Sequence, residues 1–470
     1  MRKIIEKRIN PIYSENDRID PSQVPIITGK EYRDRMKRLY GLNESIRPAE
    51  GSYSHIIVYA DREHFSNMEY LTGFDPRFEE ALLIISKNAV PTLIVGLECF
   101  VYCEKINFPI KAELYPTFGL MGQSRAGKKL IDILREAGID KNSKVGLAGW
   151  KHFTEQEFTD CRHTFEVPHY IVASILELTD SLKNAGDLFT DNKYGLRHKL
   201  DAKEIILAEI AGTKASRSVY EVIKNLKEGM NEVEASAMFL TDGEPYSAHP
   251  NLSFGMPNVG YGLSSPSYHN TLKLGDCISV GTMPRLANCH RSCIYAENES
   301  QLPKGSLEGF FKPYFLSLVQ WYEAIGIGAR GGDVYYAARE PLGGSFHDFG
   351  IGLNPGHLIH TDEWSNTPFN AYNGSTLHSG MLIQCDYTAS RPKELLSVHV
   401  EDGIALANKA LRDEIERLAP DSMKRIKARQ NFMRDTLGIQ IKDEVLPMSD
   451  IQGMLFIYAK DPAVVLAVDN

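Results

Sequence analysis

Short apolar runs separated by turn-forming residues dominate the first part of the chain. Runs of this length that are bounded by polar and turn residues are typical of sheet strands. They predict four strands, at residues 55–59, 81–85, 91–95 and 144–149, and a helical period predicts a helix over 128–137. Because strands alternate with helices here, we predict an α/β layer over roughly the first 180 residues.

A change of pattern separates this part from the rest of the chain. Turn formers and polar residues cluster between residues 184 and 194, which indicates a domain boundary. We therefore predict two domains, at 1–195 and 196–470. The second contains both strands and helices, so the predicted fold class is α/β with α+β character.

One long helix is predicted at the start of the second domain. Asp201 is a suitable N-cap residue, and Glu204, three positions later, completes the pattern of a capping box. Apolar residues then recur at helical spacing until Gly229, where a glycine is typical of a helix end.

Composition and charge exclude several classes of protein. The chain has 470 residues, of which 43% are hydrophobic and 24% charged, with a net charge of −9, so disorder is excluded. No apolar run approaches the roughly 20 residues of a membrane span. An acidic chain without a basic stripe predicts no nucleic-acid partner. Seven scattered cysteines, an odd number, predict reduced thiols and a cytoplasmic location.

Several short motifs occur in an order that is characteristic of one protein family. They lie at residues 67–74, 196–200, 227–234, 275–280, 350–353, 380–383 and 400–402. In this order and spacing they resemble the pita-bread family of creatinase, prolidase, aminopeptidase P and methionine aminopeptidase. The resemblance implies a creatinase-like N-terminal α/β domain followed by a C-terminal pita-bread domain.

The metal site of the family's peptidases is mostly absent from this sequence. Those members hold two divalent metals with two aspartates, a histidine and two acidic residues. The resemblance places these five positions at Gly281, Ser292, Phe349, Asp386 and Glu401. Only the last two are carboxylates, and a pair of divalent ions needs more anionic ligands than that. We therefore predict no metal and no cofactor.

A zinc site built from cysteines and a histidine is the alternative to the family's metal site. Cys289, His290 and Cys293 lie close together, and Cys385 precedes Asp386. Zinc sites usually use tighter, paired cysteine spacings. Small cysteines packed in the core explain the same residues.

The resemblance to creatinase implies chemistry that needs no metal. Creatinase uses a histidine as general acid and base, and His269 stands at the matching place, seven residues before Asp276. A histidine suits this role because its ordinary pKa is near 6.5. His357 and His360 lie near a further active-site histidine of the family, where a histidine polarises a substrate carbonyl. We predict all three histidines as catalytic, with a structural role in a turn as the alternative for each.

Four residues are predicted to bind the substrate. Asp386 and Glu401, released from metal binding, would hold a cationic group through charge-assisted hydrogen bonds. Phe74 and Arg77 resemble the creatinase segment whose aromatic residue and arginine reach into the neighbouring subunit's site, which implies a homodimer. For Arg77, a surface ion pair with a nearby glutamate is the alternative.

The sequence thus predicts a metal-independent hydrolase that acts on a small-molecule substrate. The expected reaction is cleavage of a carbon–nitrogen bond in a small amide, amidine or zwitterion. Creatine itself fits poorly, because a second creatine-binding glutamate of the family falls at Ile294. Two alternatives stay open: a non-catalytic pita-bread binding module, and a degenerate Xaa-Pro aminopeptidase.

Overall fold

The N-terminal strand of the described residues forms hydrogen bonds with the C-terminal strand. The computed structural model describes residues 2–10, 18–47 and 51–469, and they form two compact units. One unit comprises Ile26–His198, and the other comprises the described residues up to 25 together with 199–469. Strand β1 (Ile4–Arg8) pairs antiparallel with Val464–Val468 and buries Ile4 in the second unit's core. The N-terminal segment therefore differs from the prediction, which placed it in the first domain.

The unit formed by Ile26–His198 is built on a six-stranded mixed sheet. Its strands are β2 (His55–Ala60), β3 (Ala81–Ser86), β4 (Thr92–Val95), β5 (Lys111–Leu114), β6 (Val145–Ala148) and β7 (Leu182–Asn184). Their order across the sheet is β5-β4-β3-β2-β6-β7. Its helices are α1 (Gly29–Ile46), α2 (Ser66–Thr72), α3 (Leu97–Tyr102), α4 (Leu130–Glu136), α5 (His169–Leu176) and α6 (Asp187–Thr190). The four predicted strands and the predicted helix are confirmed as β2, β3, β4, β6 and α4.

After the N-terminal segment that contains β1, the second unit continues with the predicted long helix, α7 (Ala202–Asn225). The capping box is confirmed: the Glu204 N–H donates to Asp201 Oδ1, and the Asp201 N–H donates to Glu204 Oε2, each at 3.0 Å. The helix ends four residues before the predicted Gly229. That glycine instead takes a left-handed conformation, with φ of 86°, in the turn that follows.

An antiparallel seven-stranded sheet forms the centre of this unit. Its strands are β8 (Tyr246–Phe254), β9 (Cys277–Pro284), β10 (Cys289–Ile294), β11 (His357–Leu358), β12 (Leu382–Arg391), β13 (Leu396–Leu406) and β14 (Val445–Pro447). The order is β11-β12-β13-β10-β9-β8, with β14 also paired to β13. Strand β15 (Val464–Val468) forms the separate pair with β1.

Seven further α-helices follow α7 among the described residues of this unit. They are α8 (Glu232–Ser236), α9 (Asn258–Tyr261), α10 (Lys312–Ala324), α11 (Gly331–Arg339), α12 (Phe346–Phe349), α13 (Lys409–Leu418) and α14 (Pro420–Asn431). Among the helices of the described residues, none combines the length and the apolar character needed to cross a membrane.

A buried network of charges joins α7 to α14. Arg429 lies 2.8 Å from Glu209 and 2.6 Å from Asp450, and Arg425 lies 2.5 Å from Glu209. Burial alone would raise the pKa of Glu209, but the charges of Arg429 and Arg425 outweigh it and hold that pKa below its ordinary value. The pKa of Asp450 is lowered in the same way, by Arg429 and Arg217 against burial. The network therefore stabilises the folded state only while both carboxylates are ionised.

We expect acid to weaken the protein through this network. Because the folded-state pKa values are lowered, the unfolded chain binds more protons, so stability falls as pH drops below about 4.5. Urea unfolding between pH 3 and pH 7 measures this dependence. The variant Glu209→Gln should be less stable at pH 7 and show a shallower loss in acid. An equally steep loss in that variant would assign the acid sensitivity to other groups.

Candidate active site

Four neighbouring strands place a glycine and three polar residues side by side on one face of the seven-stranded sheet. Gly281 on β9 pairs with His290 on β10, His290 pairs with Glu401 on β13, and Glu401 pairs with Asp386 on β12. Since directly paired residues share a face, these four residues form one cross-strand row. His399 lies two residues before Glu401 and so points to the same side.

The opposite face of the same strands belongs to the hydrophobic core. Cys289, Cys293 and Cys385 are fully buried there and are free thiols. Because neighbouring residues on a strand point to opposite faces, His290 cannot share ligands with Cys289. Burial raises the pKa of the Cys293 thiol to about 12. The alternative zinc site of cysteines and His290 is therefore not formed, and these cysteines pack in the core.

His357, Asp386 and Glu401 form a buried cluster on the polar face. His357 Nε2 lies 3.5 Å from Asp386 Oδ2 and 3.8 Å from Glu401 Oε1. The Nδ1–H of His357 donates to the Leu358 carbonyl at 3.3 Å. Its ring stacks on Trp364, with centroids 4.1 Å apart and planes 10° apart. These contacts fix the ring so that Nε2 faces the two carboxylates.

Two further histidines extend this cluster. His399 Nε2 donates to Asp386 Oδ1 at 2.5 Å. The centroids of the His399 and His290 rings are 4.2 Å apart. His290 Nε2 is hydrogen bonded to Ser279 Oγ at 2.6 Å. The His290 ring needs the glycine opposite it, because a Cβ at Gly281 would lie 2.5 Å from Nδ1.

The titratable side chains of the cluster have pKa values that are shifted in different directions. Burial alone would lower the pKa of His357, but Asp386 and Glu401 outweigh it and raise the pKa to about 10. Burial is likewise outweighed at Asp386, whose pKa the two histidines lower. Burial and the Asp386 charge raise the pKa of Glu401. Burial also raises the pKa of Glu363, to about 7. Perturbed groups of this kind concentrate at functional sites.

Several polar atoms of the cluster are buried and lack a hydrogen-bond partner among the described residues. They are His357 Nε2, Glu401 Oε1 and both amide atoms of Gln384, the residue paired with His357. Buried polar groups are nearly always satisfied, so each of these atoms calls for an explanation. Two groups of buried residues also have donor atoms close enough to hold a metal ion, within 4.8 Å of one another. They are His290–His399–Glu401 and His357–Asp386–Glu401.

The two-metal centre of the resembling peptidases does not fit this structure. Two of its ligand positions are Gly281 and Ser292, on β9 and β10, and a third is Phe349, whose buried ring stacks on Phe310. None of these three side chains supplies a carboxylate or imidazole ligand. The ring of His290 occupies the space above Gly281.

The structure brings together some of the predicted site residues and leaves others apart. His357, Asp386 and Glu401 are joined in the cluster. His360 is buried elsewhere, with Nε2 3.3 Å from Glu204 at the start of α7. His269 lies on an exposed segment, and among the described residues no contact joins its side chain to the cluster. The catalytic roles of His269 and His360 stay predictions.

The segment that carries His269 is held by one buried glutamate. Glu232 accepts hydrogen bonds from the Phe254 N–H at 2.8 Å and from the Asn270 side chain at 2.6 Å through Oε1. Its Oε2 accepts from the Ser267 N–H at 2.8 Å. Both neighbours of the Tyr268–His269 pair are therefore anchored while the His269 ring stays exposed.

Phe74 and Arg77 lie in the unit formed by Ile26–His198. The Phe74 ring is 1% exposed and packs in that unit's own core, against Tyr102. Arg77 has an exposed side chain whose Nη1 lies 3.5 Å from Asp75 Oδ2. Its surface ion pair is thus with Asp75, and substrate binding by Phe74 and Arg77 stays a prediction.

Five residues of the site were not predicted from the sequence. They are Ser279, Glu363, Trp364, Gln384 and His399. One signal pointed to His399: it stands two positions before Glu401, so on a strand it shares that residue's face. No sequence signal places Trp364 on His357, because that contact depends on how the loop after β11 folds back.

Comparison with known proteins identifies the fold. No family model matches the sequence, and no curated protein matches it. The Xaa-Pro dipeptidase from Bacillus anthracis is 15% identical, with a TM-score of 0.60, over 81% of this chain and 96% of that one. The prolidase from Pyrococcus horikoshii OT3 is 16% identical, with a TM-score of 0.60, over 80% of this chain and 95% of that one.

A third solved structure agrees with these two. The X-Pro aminopeptidase from Thermotoga maritima MSB8 is 17% identical, with a TM-score of 0.56, over 80% of this chain and 96% of that one. At such identities the likeness concerns the fold rather than the chemistry. The predicted fold class is confirmed, and the chain has the pita-bread fold of the Xaa-Pro dipeptidases, prolidases and X-Pro aminopeptidases.

Proposed function

We propose that this protein is a hydrolase that breaks a carbon–nitrogen bond in a small amide or amidine. The observation that carries the proposal is the buried cluster of His357, Asp386 and Glu401, with polar atoms that have no hydrogen-bond partner among the described residues. A group of this kind is costly to bury, so its retention supports a chemical role. The solved structures of the same fold include a dipeptidase, a prolidase and an aminopeptidase.

The cluster suits a substrate or cofactor that brings positive charge. Two carboxylates and one histidine leave an excess of negative charge once both carboxylates are ionised. Removal from water strengthens the attraction for a cation. The proposed reaction does not use the two-ion centre of the peptidases, because Gly281, Ser292 and Phe349 do not supply its ligands.

His269 is proposed as the group that transfers protons to and from the substrate. Its exposed ring makes no side-chain hydrogen bond among the described residues, and its segment is anchored by Glu232. An imidazole group can both accept and donate a proton, which is the role that general acid–base catalysis requires. The cytoplasmic location and the homodimer remain proposals from the sequence; the seven free cysteines are compatible with a reducing compartment.

A substrate panel tests this function directly. The panel contains Xaa-Pro dipeptides, tripeptides with proline in second place, and amidino acids such as creatine, with release of the free amine as the readout. We expect turnover of one class, and a decrease in kcat of about 10²- to 10⁴-fold in His269→Ala. The single variant Asp386→Asn should lose most of the wild-type kcat/KM.

Two results would contradict the proposal. One is the absence of turnover for every class although the folded protein binds panel members, which would favour a binding module. The other is full activity in Asp386→Asn. The variant Glu394→Gln, at an exposed turn between β12 and β13, is the control and should behave as the wild type.

A further inference from the structure

The three donor atoms of the cluster have the spacing of ligands around one ion. His357 Nε2 is 3.5 Å from Asp386 Oδ2 and 3.8 Å from Glu401 Oε1. These separations are too long for good hydrogen bonds. Two ligands bound at about 2.1 Å to a tetrahedral ion are about 3.4 Å apart. The cluster is thus too open for a hydrogen-bonded triad and close to the spacing that a shared ion requires.

Each donor is also oriented as a metal ligand normally is. The second nitrogen of His357 donates to the Leu358 carbonyl, so Nε2 is the nitrogen that would bind an ion, which would displace its proton. The second oxygen of Asp386 accepts from His399. Metal-binding histidines and carboxylates usually carry such outer hydrogen bonds, which fix their orientation and tautomer. The orientation of the cluster is therefore already set.

Burial adds an independent reason for a bound cation. His357 is 0% exposed, Asp386 8% and Glu401 4%. His357 Nε2 and Glu401 Oε1 have no hydrogen-bond partner among the described residues. Leaving such atoms unsatisfied is unfavourable, and a divalent cation would satisfy both while balancing two carboxylates.

We propose that His357, Asp386 and Glu401 hold one divalent first-row transition-metal ion. One imidazole nitrogen and two carboxylate oxygens suit Zn²⁺, Co²⁺, Fe²⁺ or Mn²⁺. Three protein ligands leave at least one position open, as in catalytic metal sites, where the ion polarises a carbonyl or activates water. This inference concerns the site of the proposed function and rests on it. The ligand set differs from the prediction of a metal-free protein, which was based only on the family's five ligand positions and on the cysteines.

One ion, rather than two, follows from the neighbouring residues. The second group of donors, His290–His399–Glu401, shares Glu401 with the first. His399 Nε2 is already bound to Asp386, and His290 Nε2 to Ser279. We therefore assign His399 as a positioning residue for Asp386, and His290 as a residue that packs over Gly281.

Metal binding by the purified full-length protein tests this assignment without any substrate. The protein is stripped with a chelator and dialysed, then titrated with Zn²⁺ by calorimetry and with Co²⁺ by visible spectroscopy. Plasma mass spectrometry gives the stoichiometry. We expect one ion per chain. Affinity should fall by at least about 100-fold in His357→Ala and His357→Gln, and by about 10- to 100-fold in His399→Gln.

The matched control is His378→Ala. His378 is a partly buried histidine that hydrogen-bonds the Ser379 carbonyl and lies outside the cluster, so this variant should bind as the wild type. Circular dichroism and thermal melting in chelator show whether each variant is folded, and the milder His357→Gln keeps the test valid if His357→Ala does not fold.

Three results would overturn the assignment: no bound ion, two ions per chain, or loss of binding in His290→Ala with binding kept in His357→Gln. The outcome is separable from that of the proposed function. An ion bound by His357 in a protein that hydrolyses nothing would contradict only the function. Hydrolysis by a protein that binds no metal would contradict only this assignment.

Discussion

Exchanging Glu401 for glutamine should lower kcat/KM by about 10³-fold while the protein becomes more stable. Glutamine keeps the size of the side chain and removes one charge from the cluster. Two unit charges about 4 Å apart interact by about 4 kcal/mol at an effective dielectric constant of about 20, which corresponds to about 10³-fold in binding a cation. The gain in stability follows because burial and Asp386 raise the pKa of Glu401, so its charged form is unfavourable in the folded state.

Two measurements establish this opposite pair of effects. Steady-state kinetics on a panel substrate give the loss, and urea unfolding in the presence of a chelator gives the stability without a contribution from bound ions. The exposed Glu394→Gln variant should change neither quantity. A Glu401→Gln protein that is less stable and fully active would show that Glu401 has a structural role only.

Replacing Asp402 with alanine should lower the free energy of unfolding by about 3–5 kcal/mol. Asp402 and Arg291 are both completely buried, with a contact of 2.7 Å between their side chains. Asp402 also accepts the Gly453 N–H at 2.8 Å, and Arg291 donates to four backbone carbonyls in its surroundings. Removing one member of a buried pair leaves the other charge without its counter-ion, which is more costly than removing both.

A double replacement serves as the control for this prediction. Arg291→Met combined with Asp402→Leu removes both charges and fills the space with apolar atoms, so it should recover most of the lost stability. Denaturant unfolding of the two single variants and the double variant gives the coupling energy. A loss below about 1 kcal/mol for Asp402→Ala would mean that water reaches Arg291 in the folded state.

The elements of the fold were largely predictable because they depend on local patterns. Apolar runs defined β2, β3, β4 and β6, and the pair Asp201 and Glu204 marked the start of α7. Strand β1 was not predictable in its place, because its partner is more than 450 residues away. Pairing over such a distance leaves no periodic signal in either segment.

The candidate site was predictable only in part, for a similar reason. Asp386 and Glu401 were found by motif, and His357 by its position near a motif. That His290 and His399 join them depends on the register of β10, β12 and β13. Because three of the family's five ligand positions carry other residues, the sequence favoured a metal-free site. A different set of ligands becomes visible only when the fold brings side chains from separate strands together.

The two faces of β10 and β13 have a consequence for how this sequence selects one pairing of its strands. His290 and Glu401 point to the polar side, and the next residues, Arg291 and Asp402, point into the core. A slip of one residue between these strands would turn every side chain of one strand to the other face. It would separate the buried ion pair and disrupt the cross-strand row of Gly281, His290, Glu401 and Asp386 at the same time. Alternative registers are thus disfavoured by the core charge pair, and correct strand alignment during folding assembles the site as well.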